Sequence, residues 1–212
     1  MNDVVKNFQS IKASITNSNV KIIAISKTFS IETIKPLIDY GHNHFGENKV
    51  QETYLKWAPL KSLKPSIQLH MVGKLQSNKA KEAIKLFDYI HSLDNSKLAD
   101  LLAKFENSLN LKRKYFIQIN IGNENQKSGI KIEKLDEFYN YCTKTLQLNI
   151  IGLMAIPPVG NNVSQYFKLL LELNKSLGLV ELSMGMSADF KEALKYNTTF
   201  VRIGSAIFGK RS

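Results

Sequence analysis

The chain has 212 residues, 43% apolar and 22% charged, with a formal charge of +11; this suffices for a substantial core, and its one cysteine excludes an internal disulfide or a paired-cysteine zinc site. No run approaches the roughly 18 to 20 apolar residues of a membrane span, and residues 1–18 lack the zones of a secretory leader, so a cytoplasmic protein without membrane contact is expected. The charge excess, which could draw nucleic acid, is mostly lysine spread along the chain, with arginine only at 113, 202 and 211; a solvated lysine-rich surface is expected, not a nucleic-acid interface.

Val4, Phe8, Ile11 and Ile15 recur at helical spacing, so the chain is expected to open with a helix. The β-branched run Val20–Ile25 reads as a buried parallel strand. Ser30 is a candidate N-cap of a helix closed by Gly41, and His44–Gly46 forms a second strand. Further strands are predicted at 67–72, 89–93, 115–121, 150–155, 180–184 and 199–203. Helical spacings separate them, among them Leu98, Leu101, Leu102, Phe105 and Leu109, and then Leu135, Phe138, Cys142 and Leu146. Cys142 is expected as a buried small hydrophobe. Eight strands alternating with helices predict one (β/α)8 TIM-like barrel domain over 1–212. It begins with a helix and ends just after its last strand, so the first helix would fill the place of a final one. A doubly wound open sheet is the alternative, but no GxGxxG follows the first strand.

Active sites of such barrels stand at the carboxyl ends of the strands. Lys27 leaves the first strand there, where apolar walls can lower an amine's pKa and make it nucleophilic. The loops after strands seven and eight are the customary phosphate site. They carry Ser183, Ser187, Gly204 and Ser205, and Ser187 is also placed to cap the following helix. Arg202 is the only arginine in a predicted strand; the alternative to a ligand is a carboxylate partner in the barrel mouth. A strand-one lysine opposite a phosphate cup and an arginine suits pyridoxal 5′-phosphate, whose aldehyde, phosphate and pyridine nitrogen need those three functions. His70, near the end of strand three, is expected to line the mouth. His42 and His44 lie two apart with Glu47 nearby, but a third metal ligand lacks support. His91 has no assignable task.

The motifs Ala24-Ile-Ser-Lys-Thr28, Phe45-Gly-Glu-Asn48 with Gln51-Glu52, His70-Met-Val-Gly73 with Leu75-Gln-Ser-Asn-Lys79, Gly152-Leu-Met-Ala-Ile-Pro157, Leu182-Ser-Met-Gly-Met-Ser187 and Val201–Gly209 occur in order. Together they resemble the YggS/PROSC family of pyridoxal phosphate homeostasis proteins, whose barrel is similar to the N-terminal domain of alanine racemase. The resemblance implies that Lys27 is the Schiff-base lysine, that the Ser183/Ser187 and Gly204/Ser205 loops hold the phosphate, that Arg202 faces the pyridine nitrogen and that Asn48 neighbours the ring. Leu69 departs from the family's usual Trp, and Asn197 from its usual Gly.

The expected role is storage or delivery of the cofactor in vitamin B6 and amino-acid homeostasis, without turnover, by a monomer that serves apoenzymes dependent on pyridoxal phosphate. The alternative is an amino-acid racemase. By resemblance, racemases of this fold carry a further domain that supplies an opposed base, and the chain ends eight residues after Gly204.

Overall fold

The computed structural model describes residues 2–124, 126–158, 160 and 162–209. The expected C-terminal stretch 210–212, with Arg211, lies outside them.

Helix α1 (Asp3–Ala13) opens the fold, its Asn2 cap accepting from the Val4 amide at 2.9 Å. The alternation then runs β1 (Lys21–Ile25), α2 (Ile31–Asp39), β2 (His44–Glu47), α3 (Val50–Leu63), β3 (Gln68–Met71), α4 (Ala80–Leu86), β4 (Tyr89–Leu93) and α5 (Ser96–Leu109). It continues through β5 (Lys114–Ile119), α6 (Leu135–Asn140), β6 (Ile150–Ala155), α7 (Val163–Ser176), β7 (Glu181–Met186), α8 (Phe190–Ala193), β8 (Phe200–Ile203) and α9 (Ser205–Phe208). All eight strands pair in parallel and in sequence order, and β1 closes the barrel on β8 with Ile23 opposite Arg202.

The expected element order therefore holds, with local corrections, among them that the strand expected at 115–121 spans Lys114–Ile119. On α1 the buried residues are Val5, Phe8 and Ile11, while Val4 and Ile15 are half-buried. The helix around Cys142 passes into a π-turn over Tyr141–Thr145, which still leaves Leu135, Phe138 and Cys142 buried. Strand β7 starts at Glu181, where pairing with Gly152 of β6 begins, leaving Val180 exposed before it, and it runs to Met186, two residues past its expected end. Asn197 adopts φ +56°, the left-handed conformation that Asn tolerates, and Leu69 is fully buried in the core.

The large core lies between the strands and the surrounding helices. Alternate strand residues point inward, and Ile23, Ile25, Tyr89, Phe116, Met154 and Phe200 fill the barrel. Helix α1 packs beside the barrel's closure, where the Asn7 side-chain amide donates to the Ile207 carbonyl of α9 at 3.1 Å. It thus occupies the position expected of a terminal helix. Among the described residues, no helix is long and apolar enough to cross a membrane.

All four histidines are held neutral. Burial pushes His42 down to about 4 against its hydrogen bond to the His44 carbonyl; burial with the charges of Lys21 and Lys114 does the same to His44, against the opposing pull of Asp88. Burial is also the main cause at His70 and His91, which fall well below the ordinary range, with neighbouring histidines adding at His70 and Arg202 at His91. Unfolded histidines titrate near 6.5, so between about pH 6.5 and 4 the unfolded chain binds more protons and stability falls as pH falls. Each such histidine contributes a slope of up to about 1.4 kcal/mol per pH unit. Urea midpoints should therefore drop between pH 7 and pH 5, above most carboxylate titration; an unchanged midpoint would contradict the buried neutral rings.

Candidate active site at the carboxyl ends of the strands

Two adjoining cavities open at the carboxyl end of the barrel and share Lys27, Val72 and Ile156. The first, about 440 Å³, is also lined by Ser187, Arg202, Gly204 and Ser205; the second, about 420 Å³, by Asn48, Gly73, Lys74, Gln118, Asn120 and Lys127. Six expected site residues therefore converge: Lys27, Asn48, Ser187, Arg202, Gly204 and Ser205.

Lys27 is half-buried two residues beyond β1, and the next residue, Thr28, has φ +71°. A β-branched residue in that region is strained, so the surrounding structure must hold the turn. The holding network is one that the sequence did not disclose. Glu47 at the end of β2, 2% exposed, accepts from Ser26 Oγ at 2.6 Å and from Trp57 Nε1 at 2.9 Å, and pairs with Lys56 at 2.7 Å. Lys56 Nζ also donates to the carbonyls of Ser26 and Phe29 at 2.9 and 3.2 Å, on either side of Lys27 and Thr28. Helix α3 thus ties down the backbone that presents Lys27. The only sequence signal was Glu47 itself, lying in the Phe-Gly-Glu-Asn motif. Asn48 is placed by another close approach: a Cβ at Gly73 would lie 2.6 Å from the Asn48 carbonyl oxygen and 2.7 Å from its Cβ, so only glycine fits there.

Beyond β7 and β8, Ser187 Oγ accepts from the backbone amides of Gly204 at 3.3 Å and Ala206 at 3.5 Å. These are long contacts, and an anionic acceptor would satisfy the same donors better. Ser187 does not cap the next helix. That helix is preceded by Asp189, whose Oδ1 accepts from the Met186 amide at 2.5 Å, which frees Ser187 to face the cavity.

Arg202 is 5% exposed. One terminal nitrogen donates to the Ser183 carbonyl and hydroxyl at 2.8 and 2.7 Å, the other to the Ala155 carbonyl at 2.9 Å. Among the described residues its partners are thus neutral oxygens, and no carboxylate lies within ion-pair distance, so the barrel-mouth ion pair is not formed. Burial brings the guanidinium down to about 10, with the Asp189 charge opposing, so it remains cationic at neutral pH. A buried cation compensated only by dipoles, beside a cavity, favours a ligand acceptor or anion.

Ser183 and His70 are not part of the cavity lining. Because β7 continues to Met186, Ser183 sits at its third residue, fully buried and bonded to Arg202. His70 points into the barrel beneath the mouth, fully buried and stacked on Tyr89 at 4.3 Å between centroids and 12° between planes. His42 Nε2 donates to the His44 carbonyl at 2.8 Å, and His44 Nδ1 bonds His70 Nε2 at 2.9 Å. No group of three or more His, Cys, Asp or Glu side chains suited to a metal occurs among the described residues.

The family described as "Alanine racemase, N-terminal domain" matches residues 1–212. A pyridoxal phosphate homeostasis protein of Aquifex aeolicus is 38% identical over 200 residues, covering 90% of this chain and 87% of that protein. Its counterpart of the same name in Haemophilus influenzae is 37% identical over 205 residues, 92% of this chain and 86% of that protein. The solved structure of PipY from Synechococcus elongatus PCC7942, with PLP bound, superposes with a TM-score of 0.89 at 32% identity, over 97% of this chain and 100% of that one.

Glu47→Gln should destabilise the protein by about 3 kcal/mol in urea titrations, since it leaves Lys56 buried without its counter-charge. A loss below about 1 kcal/mol would show that the network does not carry the turn.

Proposed function

The chain belongs to the family of pyridoxal phosphate homeostasis proteins, within the alanine racemase N-terminal domain family, and on that footing we propose that it binds pyridoxal 5′-phosphate in the paired cavities. The observation that carries this reading is the buried Arg202, cationic and without a carboxylate contact among the described residues, facing one cavity with Lys27 and Ser187. The donor set fits the group. When bound, the cofactor supplies an electrophilic aldehyde, a phosphate dianion and a pyridine nitrogen. Lys27 holds it as a Schiff base, Ser187, Ser205 and the backbone at Gly204 bind the phosphate, and Arg202 donates to the pyridine nitrogen. Asn48 lies beside the ring from the second cavity. Ser183 supports Arg202 in this reading and does not touch the phosphate.

The role proposed is storage and delivery of the cofactor within the cell, to apoenzymes that need it, without turnover of amino acids. An arginine partner disfavours protonation of the pyridine nitrogen and leaves the ring a weak electron sink. The second cavity adds amides and lysines beside Lys27: Lys127 pairs with Glu124 at 2.5 Å, and Gln118 donates to the Ser128 carbonyl at 3.2 Å.

With pyridoxal phosphate added, the protein should show an absorbance band that borohydride bleaches, with the reduced cofactor found on the Lys27 peptide by mass spectrometry. Lys27→Ala should remove the band and leave the fold intact, because a half-buried lysine leaves no deep cavity behind. The same band in that variant would identify another lysine. Arg202→Ala and Ser187→Ala should each weaken affinity by roughly tenfold, the loss of about one hydrogen bond, charged or neutral; unchanged affinity in both would refute the donor assignment.

With the cofactor bound, L-amino acids in heavy water should exchange their α-proton no faster than with free pyridoxal phosphate. Lys27-dependent exchange at about 1 s⁻¹ or faster lies in the ordinary enzyme range and would establish the racemase-like alternative.

A further inference from the structure

A line of side chains runs down the barrel interior from the cavity to the amino-terminal end. Arg202 donates to Ser183 Oγ at 2.7 Å, and Ser183 Oγ lies 2.9 Å from His91 Nδ1. His91 Nε2 lies 3.0 Å from His70 Nδ1, and His70 Nε2 lies 2.9 Å from His44 Nδ1. His91, His70 and Ser183 are fully buried, and His44 is the first residue of β2. His91 stacks on Phe116 at 4.3 Å and 17°, as His70 does on Tyr89, so the ring planes are fixed.

We propose that Arg202 dictates the tautomers of these three rings, and that Ser183, His91, His70 and His44 act in concert as positioning residues that fix the arginine's donors at the cavity. A guanidinium only donates. Ser183 Oγ therefore accepts from Arg202, and its own proton is directed to its other partner, His91 Nδ1. A neutral ring that accepts at Nδ1 carries its proton on Nε2, so His91 donates to His70, and His70 in turn to His44. The reverse set, with protons on every Nδ1, preserves the two ring-to-ring bonds but makes both side chains bonded to Ser183 Oγ donors. Its hydroxyl proton would then face the guanidinium or a ring N–H.

The charges at the far end bear on the charge of His44 and not on its tautomer: Lys21 and Lys114 disfavour an imidazolium there, while Asp88 favours it. Both lysines are engaged elsewhere. Lys114 Nζ donates to Tyr89 Oη at 3.2 Å and lies over that ring, and Lys21 Nζ lies 3.6 Å from Glu181 and over the Phe200 ring. The direct bond from Arg202 therefore decides between two arrangements of the same atoms. Cations at both ends, together with burial, exclude an imidazolium between them. Two donors of one nitrogen are committed to Ser183 and one of the other to Ala155, which fixes the plane of the guanidinium beside the cavity that Arg202 lines.

The role toward pyridoxal phosphate rests on the proposed function; the tautomers do not. Uniformly ¹⁵N-histidine-labelled protein without cofactor, in long-range ¹H–¹⁵N correlation spectra at pH 7.5, should show His44, His70 and His91 each in the Nε2–H form by at least about tenfold. Ser183→Ala should lower that ratio threefold or more at His44, a ring that Ser183 does not touch, and Ser183→Thr should restore it. An Nδ1–H or imidazolium form at any of the three rings of the wild type, or a Ser183→Ala effect confined to His91, would overturn the proposal. Should Ser183→Ala fail to fold, Arg202→Met is expected to shift the same three rings, and no shift there has the same meaning. Ser183→Ala should also weaken pyridoxal phosphate binding about tenfold, with rescue by Thr; weaker binding with unmoved tautomers would instead mark direct contact and overturn the positioning role. A wild type with the expected tautomers that binds no pyridoxal phosphate would refute the cofactor reading and leave the line intact.

Discussion

Much of the barrel interior is arranged around one cost, the desolvation of the Arg202 guanidinium. At ordinary interior polarity an uncompensated cation is far too expensive to bury. Here the compensation is made of dipoles: the carbonyls of Ser183 and Ala155, from β7 and β6, and the hydroxyl of Ser183. Three neighbouring strands thus share a single charge. Since no carboxylate neutralises it among the described residues, part of its potential remains directed at the cavity, which Lys27 also lines.

The same constraint explains why a small barrel has a polar axis. Ser183 can accept from Arg202 at low cost only if its own proton has an acceptor, and each histidine below repeats that requirement one step further. Around this axis the filling is apolar and aromatic, with Phe116, Phe200 and Tyr89 packed against the rings. Gly46 provides room: a Cβ there would strike Ile25 and Ile23, so the glycine keeps β2 close to β1 where Lys27 emerges.

The fold was legible in the sequence because parallel strands covered on both faces read as β-branched apolar runs, and 89–93 and 150–155 were bounded to the residue. Lys27, Ser187, Arg202 and Gly204 were legible because strand ends are where polar residues interrupt such runs. What failed was depth. Ser183 and His70 were judged by distance from the ends of their strands, and β7 runs two residues further than its apolar run implied, which lowers Ser183 by a layer. His91 had no task along the chain because its partners, Ser183 and His70, are 92 and 21 residues away and meet it only on barrel closure. Glu47 and Lys56 escaped for the same reason: a charge pair between β2 and α3 that supports a loop after β1 has no linear spacing to reveal it.

The two support systems differ in what they allow. The Glu47–Lys56 network grips backbone, bonding carbonyls before and after Lys27, so it fixes where the lysine's stem begins, at the border of the two cavities that Lys27 lines. The axis below Arg202 grips a side chain at its tip and leaves it little rotational freedom. A site built this way sets the arginine's donors directly, through the tip of its side chain, and sets the lysine only through the backbone that carries it, so the two groups are positioned by independent means.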